Sequence, residues 1–192
     1  MRLYLWSAAF RIVVSLMLLT VAQPIAQEIR DELERFCLRI EIAGSIRREK
    51  FEVGDIEIVA VPDSRQLYEL RKLVNTKWGT PTKGAFPSKF TMIRGRFNID
   101  IFWPNLRTWG LTYFIRTGSA DFVRGALSHW KRLHGEKAHS EDCQLFDGKQ
   151  FVPTEEEKDV FTALRTPFIE PQDRTLWPNP IVTGKQIGRA HV

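Results

Sequence analysis

Residues 44–59 read GSIRREKFEVGDIEIV and hold two kinds of chemistry a short loop apart. Asp55 and Glu57 stand at i and i+2. On a strand such residues share a face, roughly 6.5–7 Å apart along the chain, while Ile56 and Ile58 point the other way. Two carboxylates on one face repel unless something positive lies between them. Hard divalent cations suit that arrangement, because Mg²⁺ takes one or two carboxylates and fills its shell with water and phosphate oxygens. Taken alone, D-x-E is equally the solvent side of an ordinary antiparallel sheet. The upstream half adds a second function. Gly44 and Ser45 let backbone come close to a ligand and supply a hydroxyl. Arg47 and Arg48 supply forked donors that match phosphate. Phosphate donors facing metal-binding acids describe a pocket for a nucleoside triphosphate and a metal. A third acid, Asp100, lies mid-strand in FNIDIFW between Ile99 and Ile101. If that strand runs beside 55–61, Asp100 joins Asp55 and Glu57.

The elements that must position these groups alternate along the chain. Ile25, Ala26, Ile29, Leu33 and Phe36 recur at helical spacing and predict a helix over 22–36. LRIEIA (38–43) and DIEIVAV (55–61) alternate and predict strands, the second stopped by Pro62. Residues 65–74 read as helix, and 89–95 with 96–103 as a hairpin about Gly95. A helix over 119–133 opens on Ser119 as N-cap. A small hairpin over 143–152 turns at Asp147-Gly148, and Thr154 with Glu157 predicts a capping box for a helix to Leu164. Residues 167–180 read as loop. The fold class expected is α/β (α+β): a mixed or antiparallel sheet flanked by helices, with a small α+β subdomain after it. The divisions are 1–16 as a doubtful extension, 17–104, 105–174, a tail over 175–185, and 186–192.

The two ends differ from the middle. Residues 1–22 are apolar with only Arg2 and Arg11 charged. Three readings are open: an upstream mis-called start with translation from Met17, a genuine N-terminal helix, or a signal segment. The uncharged run Ile12–Ala22 is too short to span a bilayer. The last seven residues, QIGRAHV, are what one frame of CAG ATC GGA AGA GCA CAC GTC encodes, the start of a widely used sequencing adapter. They are read as adapter read-through. The net charge is +5, but Arg2 and Arg11 lie in 1–16 and Lys185 and Arg189 in 185–192, and neither segment holds an acid; without them it is +1. Bulk charge therefore says little about a nucleic-acid partner. Cys37 and Cys143 fit neither a disulfide framework nor a zinc site. His129, His134 and His139, five apart, do not share a helical face. Trp103, Trp109 and Trp130 read first as core and second as stacking platforms.

Across residues 20–174 the chain resembles the DNA polymerase X, or polymerase-beta-like, branch of the nucleotidyltransferase superfamily, nearest to short phage and bacterial forms. The likeness rests on G-S-x-R-R at 44–48, G-D-x-E at 54–57, I-D-I at 99–101, T-G-S at 117–119 with its following helix, and TEEEKDVFTALRTPFIEPQDR at 154–174. It implies a nucleotidyltransferase palm over 17–104 and a thumb-like subdomain over 105–174. Gly44, Ser45 and Arg48 would hold the β- and γ-phosphates, and Thr117, Gly118 and Ser119 would line the sugar side. Asp55, Glu57 and Asp100 would be the catalytic acids and the ligands of two Mg²⁺, with Mn²⁺ as a substitute. The reaction implied moves a nucleotide from a dNTP or NTP to a hydroxyl, first of all a nucleic-acid 3′ end, and releases pyrophosphate. DNA is the partner implied, without stable membrane association, in a bacterial host's cytoplasm. Glu57 stands where longer members carry Asp, and Ile115 and Arg116 stand where they carry an aromatic pair. Two other expectations are weighed beside it: nucleotidylation of a protein or small molecule, and a catalytically silent nucleotide-binding or scaffold module.

Overall fold

The computed structural model describes residues 16–178 apart from 79–82, 85–89 and 95–96, and for 78, 83–84, 90–94 and 97 it gives backbone only. The chain forms mixed α+β structure with helices flanking sheets. In order come β1 (Met17–Leu18), α1 (Leu19–Glu34), β2 (Cys37–Ile42), α2 (Gly44–Arg47), β3 (Glu52–Val53), β4 (Asp55–Pro62) and α3 (Leu67–Leu73). Then follow β5 (Lys83–Gly84), β6 (Phe90–Arg94), β7 (Phe97–Phe102), α4 (Trp109–Thr117), α5 (Ala120–His134), β8 (His139–Glu141), β9 (Gln144–Asp147), β10 (Gln150–Val152) and α6 (Glu157–Ala163).

The central sheet has the order β2-β4-β7-β6-β5. Only β4 and β7 run parallel; the other pairs are antiparallel. Alternation along β4 explains its place. Ile56, Ile58 and Ala60 are fully buried on one face, beside Ile99 and Ile101 of β7. That face packs under α1, whose buried Ala22, Ala26, Ile29 and Leu33 recur at intervals of four, three and four. Leu70 and Val74 extend the same core. Each such fully buried large apolar side chain contributes about 1.5–3 kcal/mol.

The other face of β4 changes character along its length. It begins with Asp55 and Glu57 and ends with Val59 and Val61. On β7 the same face carries Asp100 and then Phe102. Trp109 and Tyr113 of α4 pack with Ala43, Val59, Val61 and Phe102 on the apolar half. The charged half is thereby set at the border of a packed core.

Sequence patterning did not predict α4. Seven of its nine residues, WGLTYFIRT, are buried, and a helix this short and this covered gives sequence patterning little to read. Leu111 and Phe114 point into a second core with Phe122, Ala126, Trp130, Leu145, Val160, Phe161 and Trp177. Gly110 permits a close crossing: a Cβ there would sit 2.2 Å from the carbonyl oxygen of Glu156. Its N–H donates to Thr154 O at 2.7 Å.

Most predicted elements are present with shifted ends. Ser119 caps α5, its Oγ accepting from Phe122 N–H at 3.1 Å. The turn at Asp147-Gly148 joins β9 to β10, and Gly148 takes the left-handed φ of +62°. An unpredicted strand, β8, makes that hairpin a three-stranded meander. Residues 65–74 break into a 3₁₀ turn, α3, and a π-helical turn over Val74–Trp78. The capping box of α6 is Glu156 with Asp159, not Thr154 with Glu157. Thr154 instead accepts from Leu111 N–H, and Glu157 is drawn into the interior by two arginines. Trp109 and Trp130 are core residues, and both cysteines are free and partly buried. The expectations for residues 1–15, the turn at Gly95, and QIGRAHV fall outside the described residues. Among the described residues no helix is long and apolar enough to cross a membrane.

Candidate active site

The acid face is built by strand register. Glu57 of β4 is the direct partner of Asp100 on β7, and Asp55 lies two residues before Glu57. All three acids therefore share one face, as alternation predicts. The turn from β2 into α2 bends over this face. Ala43 N–H donates to Glu57 O at 2.9 Å, which seats the turn on β4. Gly44 then adopts φ +68°. A Cβ at Gly44 would lie 2.5 Å from Glu57 Oε2, so the carboxylate occupies the space that glycine leaves. Both the backbone angle and the clearance require glycine here.

Two arginines face the acids. Arg48 donates through Nη1 to Thr117 O at 2.5 Å. Burial pulls the Arg48 guanidinium below its usual range, against the opposing pull of Glu57 and Asp55. Arg116 lies with its guanidinium carbon 3.9 Å from the Phe102 ring centroid, and its charge acts on Glu57. The Glu57 carboxyl is pushed up to about 7, first by burial, then by Asp55 and less by Asp100, against the opposing pull of Arg116 and Arg48. Ser45 Oγ, Arg48 Nε and Arg116 Nε are buried without a hydrogen-bond partner. Buried donors left unspent are costly, and these flank the acid face from both sides.

The expectation of two Mg²⁺, or Mn²⁺, held by Asp55, Glu57 and Asp100 is overturned. Among the described residues no group of three or more His, Cys, Asp or Glu side chains is disposed to hold a metal ion. A shared face is not a chelate. Strand neighbours lie about 4.8 Å apart and i,i+2 residues nearly 7 Å, so convergence depends on where the side chains turn. Glu57 is packed back against Gly44, and the positive charge beside the acids comes from Arg48 and Arg116. With its own groups this face can take up a proton on a carboxylate and offset negative charge with a guanidinium.

The remaining predicted residues have structural partners. Thr117 is fully buried, and its Oγ1 accepts from Arg47 Nη1 at 2.8 Å. Gly118 ends α4, with no room for a Cβ against Phe122 and Val123. Ser119 caps α5 and donates to Thr175 O at 2.5 Å. Arg47 is not a phosphate donor: it makes two 2.8 Å bonds to Glu157 and stacks 3.8 Å from the Tyr113 ring centroid. Arg174, fully buried, binds Glu157 from the other side at 2.5 Å.

Sequence reasoning missed this Arg47–Glu157–Arg174 cluster and the role of Arg116. Nothing local marks them, since residues 47, 157 and 174 meet only through the packing of α2, α6 and the tail. The histidines also act locally. His129 Nε2 lies 3.1 Å from Leu164 O, and His139 stacks on Phe146. The chain matches no protein-family model and no curated relative.

Proposed function

We propose that the chain is a nucleotidyltransferase of the polymerase-beta-like kind, with a palm over 17–104 and a thumb-like subdomain over 105–174. One observation carries this reading. Three carboxylates share a sheet face, under a glycine turn that brings two unspent buried donors, Ser45 Oγ and Arg48 Nε, beside them. A triphosphate laid along Gly44, Ser45 and Arg48 would satisfy both donors. Its α-phosphorus would then lie over the acids.

The reaction is attack of a hydroxyl oxygen on that phosphorus as the bond to the leaving pyrophosphate breaks. The hydroxyl proton goes to a carboxylate of the acid face. Asp100, on β7 and away from the phosphate cradle, is the carboxylate this reading gives that task. Arg48 offsets charge developing on the leaving group. A nucleic-acid 3′ end is the acceptor this reading puts first.

The test is incubation with labelled dNTPs or NTPs and with primed, gapped or single-stranded DNA, with and without divalent cations. Incorporation by wild type and its loss in Asp100→Ala are expected. The unassembled metal group favours one other reading, a silent nucleotide-binding module. Tight nucleotide binding without incorporation on any acceptor would select that module and refute transfer.

A further inference from the structure

A crevice of about 890 Å³ opens at the far end of β4 from the acids. The pairing of β2 with β4 brings Leu38 and Val61 to that end, and both line the opening. Trp103 after β7, Arg107 ahead of α4 and Phe151 of β10 add the other main walls. The crevice therefore lies between the central sheet and the β8–β10 meander. It is a different place from the acid face. Val61 is four residues beyond Glu57 on the same side of β4, about 13 Å along the strand. Val59, between them, is packed in one cluster with Trp109 and Tyr113.

Three features of the lining select a ligand. Its aliphatic walls are left uncovered: Leu38 is 56% exposed and Leu106, also in the wall, 50%. Two large apolar side chains so exposed, on separate elements around one concavity, mark a surface that a ligand would cover. Flat groups come next, because Trp103, Phe151, Pro62 and Pro104 all line the crevice. The third feature is charge. Among the described residues of the lining, Arg107 alone is charged. Its guanidinium carbon lies 4.8 Å from the Phe151 ring centroid, and among the described residues no acid pairs with it. An arginine stacked on a ring keeps its forked N–H edge for an anion. The Gln144 amide and the Ser64 hydroxyl supply further polar groups. A mostly apolar crevice of this volume, with a few polar groups and set between two packed units, has the make-up of a small-molecule site.

We propose that this crevice binds a small aromatic carboxylate, with its ring against the Trp103 wall and its carboxylate on Arg107. The aromatic part follows from the flat walls. A flexible alkyl chain would give up rotamer entropy that an open crevice does not return. The carboxylate follows from the single cation, which matches one negative charge, whereas a phosphate dianion asks for more. The site stands apart from the transferase reading and holds whether or not the acid face transfers nucleotides.

Calorimetry on the full chain with 2-naphthoate, its neutral analogue 2-naphthamide and 2-naphthyl phosphate provides the test. 2-Naphthoate is expected to bind at one site per chain, about ten-fold tighter than the amide, as a hydrogen bond to a charged group provides. Arg107→Gln should remove that preference, so that acid and amide bind alike. Ser64→Trp, at an exposed position in the crevice wall, should block both. Melting temperatures near that of wild type show that each variant is folded. No saturable binding of 2-naphthoate by wild type, or equal affinity for acid and amide, would overturn the site whatever the variants do. Binding to both folded variants equal to that of wild type would place the ligand elsewhere and overturn it too. Tighter binding of 2-naphthyl phosphate than of 2-naphthoate would overturn the carboxylate assignment.

Discussion

Replacing Glu57 by glutamine should make the protein more stable at pH 8 and hardly change it under acid conditions. The Glu57 carboxyl is buried against Gly44 with Asp55 and Asp100 on the same face, and it titrates at about 7 rather than the ordinary 4.5. Folding therefore tightens its hold on the proton. The stabilisation from that held proton is complete below pH 4.5 and is lost as pH rises through about 7. At about 1.36 kcal/mol for each pH unit between the two values, the loss is on the order of 3 kcal/mol. Glutamine keeps the shape and never ionises. The stability difference between variant and wild type should thus grow by roughly 2–3 kcal/mol from pH 5 to pH 8. That corresponds to several degrees in melting temperature for a chain of this size. Urea unfolding of both proteins at pH 5, 6, 7 and 8 measures it. Curves that stay parallel across this range would refute the claim that Glu57 is held neutral by burial among like charges. The same variant should lose nucleotide transfer, so that one substitution raises stability and removes activity, as expected where an acid is strained for function.

Glu157→Gln should act in the opposite sense. It leaves Arg174 and Arg47 without their carboxylate, and removing one partner of a buried ion pair costs about 3–5 kcal/mol. Burial pushes the Glu157 carboxyl up, but its bonds to Arg47 and Arg174 outweigh this and hold it below the ordinary range. Its contribution is present above pH 4.5 and lost as pH falls below it, so acid unfolding of wild type and variant should converge. Gly44→Ala should cost roughly 1–2 kcal/mol for the left-handed backbone alone, and more as Glu57 is displaced. Its affinity for tripolyphosphate, read by calorimetry, should fall. Because no ligand group for a metal is assembled among the described residues, Mg²⁺ or a chelator, added without nucleotide, should leave the melting temperature unchanged. A rise of several degrees with Mg²⁺ would restore the metal site.

Local order in the sequence determined a good deal. Alternation in DIEIVAV set both the strand and which of its faces carries Asp55 and Glu57, because a strand's period of two leaves no other choice. The spacing of Ala26, Ile29 and Leu33 set the buried seam of α1, which Ala22 extends, and Ser119 and Asp147-Gly148 marked a cap and a turn through their own backbone chemistry. Tertiary structure decided the rest. The parallel register that puts Glu57 opposite Asp100 joins residues forty-three positions apart, yet among the described residues no group of acids is disposed to hold a metal ion. Helix α4 spans only nine residues, seven of them buried, which leaves too short a polar face to mark it. Arg47 and Arg48 are adjacent and chemically identical, yet one is spent on buried Glu157 and the other faces the acids. Sequence gives the two arginines the same capability; the helix and tail that pack around them give each its partner.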